Sequence, residues 1–258
     1  MIVACGASGN IGRPLVATLV AGGHEVRVVA RDQGRARGVV PAPVVSTSVS
    51  PADATGLFLL DGDALPDAAW LVDARHVRRA VLVTSLVGQL HPDSVPGKEI
   101  RRAEELVRAH VPAVTILRPW EFFSNTLSWA PAIRATGMVT GPLLGKPSPA
   151  VDAADIAAVA ARVLTEDGHA GREYPVTGPA ELTVRDKIDA LAGALGRHLS
   201  YVVRPEDPPA GDEILAAVRK AGVSGLDSPG VSDTVEAVTG RPARSFAAWA
   251  RENAAEFR

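Results

Sequence analysis

The sequence has one cysteine, Cys5, so no intramolecular disulfide can form, as expected of a protein from a reducing compartment. Cys5 sits in an apolar run, and a buried strand thiol is more often inert than redox-active. A large excess of charge of one sign is also missing. The formal net charge is -2, so no broad positive field exists to draw nucleic acid or an anionic membrane. No uninterrupted apolar run approaches the ~20 residues needed to cross a bilayer. The N-terminus has no basic n-region before its first apolar run, so no signal peptide is expected and a cytoplasmic location is. His, Cys and Asp show no metal-ligand spacing, and no metal is expected. A GxSxG elbow is absent, which speaks against a serine hydrolase. Lysine is restricted to Lys98, Lys146, Lys187 and Lys220. Aromatic residues make up only 4% of the chain, so any cluster of them stands out.

The chain does have 258 residues, 47% of them hydrophobic, enough for one large domain or one domain with a small appendage. Its most informative feature is a glycine triplet, Gly6, Gly9 and Gly12, in MIVACGASGNIGRPLVATLV. Ile2 to Cys5 reads as a buried strand, Gly6 to Gly12 as a turn and Arg13 to Ala21 as a helix. This order forms a phosphate cradle. Glycines let the backbone turn tightly and approach a pyrophosphate, whose charge sits at the helix N-terminus. The spacing is GxxGxxG, with the middle glycine one place later than in GxGxxG. Ser8, Asn10 and Ile11 lie in the same turn and join the three glycines as candidate cofactor contacts.

Apolar runs then alternate with helical stretches. Strands are expected at Glu25 to Ala30, weakly at Val39 to Val45, and at Leu57 to Leu60, Ala80 to Thr84 and Val114 to Leu117. The last is expected to stop at Arg118-Pro119. Helices are expected at Leu65 to His76 and Lys98 to Ala109. This rhythm predicts an α/β fold, a Rossmann-type doubly wound parallel sheet. Ser46 to Thr55 leaves room for only a turn or two between strands three and four, so that region is shortened. From Trp120 the texture changes, and the boundary is placed there. Residues 1–119 form a dinucleotide-binding core, and 120–258 form a small C-terminal α/β substrate lobe interleaved with it. In the lobe, helices are expected at Asp155 to Leu164, Thr183 to Leu195, Asp212 to Ala221 and Phe246 to Phe257. Short strands are expected at Tyr174 to Thr177 and Tyr201 to Arg204. Thr183 with Asp186 three residues on reads as a capping box.

The residue after the second strand distinguishes NAD from NADP in such folds. Here Arg31 precedes Asp32, with Arg13 and Arg35 as further cations. The arginine fork suits a 2′-phosphate, so NADP(H) is favoured over NAD(H), although Asp32 could still meet a ribose.

Several segments together resemble the NmrA-like, atypical short-chain dehydrogenase/reductase family. They are GASGNIGRPLV (Gly6 to Val16), VRVVARD (Val26 to Asp32), VLVTSL (Val81 to Leu86), TILRPWEFFSNTL (Thr115 to Leu127), VDAADIAAVAARVL (Val151 to Leu164) and YPVTGPAELTVRDKIDALAGALGR (Tyr174 to Arg197). The C-terminal FAAWARENAAEFR also fits. The resemblance implies a Rossmann domain with a small substrate lobe. It also implies a function among quinone, ketone and aryl-ether reductases or redox-inactive dinucleotide sensors. The chain departs from the family's pattern in two places. The Gly-Asp pair that the family carries after strand three is replaced by Val44, Val45, Ser46 and Thr47. The superfamily's YxxxK pair is absent, because neither Tyr174 nor Tyr201 is followed by lysine four residues on. Some relatives use a lysine near the position of Lys98.

Candidate chemistry clusters at the strand ends. Thr84 and Ser85 end strand five as candidate cofactor contacts, and Ser85 could also bond a carbonyl. Lys98 could bind a cofactor ribose or supply a proton. His91 titrates in a useful range. Trp120, Phe122 and Phe123, with Asn125, could wall a flat apolar substrate, since aromatic rings stack on such ligands. The expected function is an NAD(P)H-dependent reductase of a flat carbonyl, quinone or enone, acting as a monomer or homodimer on a small molecule. A redox-inactive NADP(H) sensor is the alternative from another class. A non-redox isomerase, cyclase or dehydratase is the third.

Overall fold

The computed structural model describes residues 1–30, 44–46, 50–62, 65–141, 146–203 and 228–258. The described strands, in chain order, are β1 (Ile2–Cys5), β2 (Val26–Val29), β3 (Val44–Ser46), β4 (Gly56–Leu60), β5 (Arg79–Val83), β6 (Val114–Pro119), β7 (Met138–Gly141), β8 (Glu173–Val176) and β9 (Ser200–Val203). Seven of them form one sheet in the order β3-β2-β1-β4-β5-β6-β8, and every neighbouring pair is parallel. The order reverses between β1 and β4, so these two strands flank the switch point of a doubly wound Rossmann sheet. The expected fold class is therefore observed.

The chain divides into two compact units. The first comprises Met1–Pro119, Ala153–Val176 and Thr234–Arg241; the second comprises Trp120–Asp152, Thr177–Asp233 and Pro242–Arg258. The chain thus returns twice to the first unit after leaving it at Trp120.

In the first unit, β1 and β6 are buried throughout and β4 nearly so. That explains their unbroken apolar runs, since a parallel sheet is covered on both faces. Val3, Leu57, Leu59, Leu82 and Ile116 pack with Leu71 and Val107, from helices Ala68–Val72 and Val95–His110. Side chains alternate along a strand, so their neighbours meet the other layer. That layer holds helices Gly12–Ala21 and Ala153–Thr165, which pack together.

Several expected elements differ. Helix Leu65 to His76 is reduced to Ala68–Val72, because Pro66 disfavours a helical Leu65 and Asp67 caps a later start. The Asp67 side chain accepts from the Trp70 N–H at 2.9 Å, and turns replace helix from Ala74 to Val77. The helix expected from Lys98 begins at Val95 instead, where the Ser94 hydroxyl accepts from the Gly97 N–H. β6 extends two residues past the expected Leu117 and ends at Pro119, with Arg118 and Pro119 in register with Pro175 and Val176. Between β3 and β4 the only described helical turn is Pro51–Asp53, consistent with the shortened region.

The second unit has its own core, in which Phe123, Ile133, Val139, Ile188, Leu191, Phe246, Trp249 and Phe257 meet. β7 and β9 pair in parallel within it. The expected capping box on helix Val184–Leu195 is formed by Thr183 and Asp186. The C-terminal helix breaks at Asn253, whose side-chain amide donates to the Trp249 carbonyl. A 3-10 turn, Ala254–Phe257, follows. The helix expected at Asp212 to Ala221 lies outside the described residues.

Candidate functional site

The glycine turn leaves β1 at the switch point. Gly6 has φ +77°, a conformation that a side chain rarely tolerates. Gly12 opens the helix, and a Cβ there would lie 2.3 Å from the Ala7 Cα, so the strand and helix can approach only with glycine. Gly9 differs. A Cβ there would meet nothing nearer than the Gly6 carbonyl at 3.6 Å, and the residue is exposed. The fold does not need Gly9 to be small, but a ligand approaching the backbone would. The helix N-terminus has no side-chain cap and no acidic residue in its first turn. The Arg13 N–H donates to the Gly9 carbonyl and Pro14 carries no N–H, so it is the positive end of the helix dipole that is left for an external anion. This cradle fits a dinucleotide pyrophosphate. Ser8 is half-buried, Asn10 is exposed, and Ile11 is buried beneath the turn.

Between β4 and β8, and reaching helix Val95–His110, lies a charged network that the sequence does not announce. Asp61 follows β4, and its N–H donates to the Val83 carbonyl. Burial pushes its carboxyl up to about 6, aided by the nearby Glu104. Glu104, on helix Val95–His110, accepts from the Thr84 hydroxyl at 2.9 Å and from the Arg118 guanidinium at 2.8 and 2.6 Å. Arg118 also reaches Glu173, which Arg108 holds from a second side. Glu104 keeps the guanidinium of Arg118 charged, raising its pKa, and Arg118 in turn lowers that of Glu173. Thr84 is buried and its hydroxyl is spent on Glu104, so it supports this network rather than a ligand. The only sequence signal is an acid and an arginine on successive elements, which look like dispersed surface charge.

Ser85 is half-buried. Its oxygen accepts from the Val87 N–H at 3.2 Å, which leaves its proton available to a carbonyl. Lys98 is exposed in the first turn of its helix, where the dipole disfavours a cation, so helix stability does not account for it. His91 directly follows the short helix Val87–Leu90, with Nε2 buried and without a hydrogen-bond partner among the described residues. Arg31 and Arg35 lie outside the described residues.

In the second unit, Trp120 is buried and Phe122 and Asn125 are half-buried. Phe123 corrects the expectation of an open aromatic wall. It is 1% exposed, its ring lies edge-on to Phe246 at 5.1 Å, and it serves that unit's core. Between Trp120 and Phe122 sits Glu121, buried and bonded by the Lys187 ammonium at 2.8 Å. That pair, too, goes unmarked in the sequence.

A cavity of about 360 Å³ is lined by Thr18, His24, Arg162 and Arg241. It lies by the C-terminal end of helix Gly12–Ala21, at the opposite end of that helix from the glycine turn. Among the described residues, no group of three His, Cys, Asp or Glu could hold a metal, and no helix is long and apolar enough to cross a membrane.

No family model matches the chain. Its sequence is 33% identical to the (4-alkanoyl-5-oxo-2,5-dihydrofuran-3-yl)methyl phosphate reductase of Streptomyces griseus, over 100% of this chain and 99% of the relative. It is 31% identical to the NAD(P)H azoreductase of Xenophilus azovorans, with the same shares covered. The chain belongs to the NAD(P)-binding Rossmann-type reductases. This reductase also shares its fold with the NADPH-dependent quinone oxidoreductase QOR2 of Escherichia coli, solved with NADPH. The TM-score is 0.73 at 20% identity, covering 98% of this chain and 99% of that one.

Proposed function

We propose that this enzyme is an NmrA-like, atypical short-chain reductase that uses NADP(H) in preference to NAD(H) to reduce a flat conjugated carbonyl, an enone or a quinone. The observation that carries the reading is the exposed Gly9 in a turn that opens onto an uncapped helix N-terminus. The conjugated oxo-dihydrofuran in the name of the Streptomyces griseus relative's substrate supports the enone class. The preference for the 2′-phosphate rests on Arg31 and Arg35, which follow β2 in sequence.

When bound, the dinucleotide supplies a hydride to the acceptor. Gly6, Gly9, Gly12, Ser8, Asn10 and Ile11 hold the pyrophosphate end of the ligand. The Ser85 hydroxyl, its oxygen occupied by the Val87 N–H, donates its proton to a carbonyl. Lys98 neutralises anionic charge on the ligand, or gives a proton to the reduced oxygen. A quinone-like acceptor asks little of the protein, since water can protonate both oxygens. That suits a chain without the YxxxK pair. Trp120, Phe122 and Asn125 are proposed to contact the acceptor, as is His91, which follows the short helix Val87–Leu90. The protein works as a monomer or homodimer in the cytoplasm.

A panel of quinones and enones, with NADPH absorbance followed, tests this reading. Oxidation that depends on acceptor and saturates is expected. Arg31→Asp should weaken NADPH by about tenfold, the worth of one charge-assisted contact, while leaving NADH nearly unchanged. Tight NADPH binding without oxidation by any acceptor would establish the sensor instead.

A further inference from the structure

The sheet order reverses between β1 and β4, and ligands of such sheets lie outside the strand ends at that point. β1 ends in the glycine turn; β4 ends in Asp61. Asp61 is also tied to β5, because its N–H donates to the Val83 carbonyl beside Thr84. Leu57 and Leu59 face helix Val95–His110, and Asp61 is next in that alternation, which brings it toward Glu104. An acid is therefore placed where a polyanionic ligand must pass.

We propose that Asp61 faces the bound dinucleotide at the switch point and accommodates it as the neutral carboxylic acid, so that dinucleotide uptake carries a proton with it. This rests on the cofactor reading above. The surroundings favour the neutral form. Burial and Glu104 both disfavour the carboxylate. The positive charge nearest Glu104 is Arg118, whose Nε and Nη2 are already bonded to that carboxylate and whose Nη1 is on Glu173. From β1 comes only the thiol of Cys5, kept neutral by burial, which pushes it up to about 12. Arg13 is exposed on the helix that follows. From β5 come the uncharged hydroxyls of Thr84 and Ser85. On the segment after β4, Asp67 caps a helix and Asp63 lies outside the described residues. A dinucleotide adds more negative charge, so it binds the protonated site better and raises the acid's proton affinity.

The test is a fluorescence titration of NADH and NADPH at pH values from 5 to 8, with the wild type and Asp61→Asn compared. NADPH carries a 2′-phosphate that titrates in the same range, so NADH gives the cleaner profile. The wild-type dissociation constant for NADH should rise about tenfold across the range, as it must if bound NADH tightens the acid's hold on its proton by about the same factor. Asp61→Asn should stay flat and bind more tightly than wild type at pH 8. In weakly buffered solution near pH 6.5, the wild type should take up protons on adding NADH. That measurement needs no variant, and circular dichroism checks that Asp61→Asn is folded. Superimposable profiles with no proton uptake would overturn the proposal. So would wild-type affinity that improves with pH, the sign of a carboxylate accepting from ribose hydroxyls. Absence of binding by both nucleotides at every pH would overturn the cofactor reading, and this inference with it.

Discussion

A half-buried acid and a buried ion pair define what single residues do here. Asp61 binds its proton more tightly in the folded chain than in the unfolded one, where a carboxyl titrates near 4. Its contribution to stability is therefore complete below pH ~4 and is lost as the pH climbs through about 6. Asp61→Asn should match the wild type in urea unfolding at pH 4 and exceed it at pH 8 by about 2 kcal/mol. Equal curves at both pH values would contradict that burial. Lys187 and Glu121 present the opposite case, a paired charge with 3% and 5% of the side chains exposed. Lys187→Met leaves a buried carboxylate alone and should cost about 3–5 kcal/mol, whereas the double variant Lys187→Met with Glu121→Leu should recover most of it. A double variant no more stable than the single would show that the two are not coupled. Neither residue was legible in the sequence. A lysine among helical polar residues and an acid between two aromatics look the same whether they are exposed or buried. Only the fold brings Glu121 and Lys187 together, 66 positions apart. Phe123 misled in the same way, since an aromatic after a strand can serve a ligand or a core, and here it serves the core.

At the scale of elements, the turn after β1 separates the needs of the fold from those of a ligand. A Cβ on Gly12 would collide with the Ala7 backbone, while one on Gly9 would not collide with anything. Gly12→Ala should lower the melting temperature and dinucleotide affinity together. Gly9→Ala should leave melting within about 1–2 °C while weakening NADPH by tenfold or more, because its methyl group would occupy the approach of the pyrophosphate. Comparable melting losses in both variants would mean that Gly9 is structural. This element was readable in advance because strand, glycines and helix each carry a local signal. So was the capping box of Thr183 and Asp186, where the chemistry lies within four residues. Boundaries governed by a single proline were harder. Pro66 cut a helix short, whereas Pro119 is itself the last residue of β6, where its carbonyl accepts from the Leu86 N–H. A proline removes only a donor, and whether the strand needs that donor is decided by its neighbours.

At the scale of the molecule, the parallel sheet was legible because buried strands read as apolar runs separated by helical periods. The path of the chain was not. Helix Ala153–Thr165 and β8 belong with the sheet, although Trp120–Asp152 before them belongs to the other unit. Nothing local in the sequence marks such a return. It follows from packing, as when the Asp155 carboxylate accepts from Arg241 within the first unit. The second unit draws its core from three separate segments, with Phe246, Trp249 and Phe257 arriving last in the chain. Together these parts are proposed to make a reductase that both binds and spends NADPH. It is tested most directly by a single turnover. The protein is loaded with one equivalent of NADPH, mixed rapidly with a quinone or enone, and followed at the nicotinamide absorbance band. Loss of that absorbance at a rate that saturates with acceptor, and that falls in Gly9→Ala as NADPH occupancy falls, is the expected result. Bound NADPH that persists unchanged against every acceptor would contradict it.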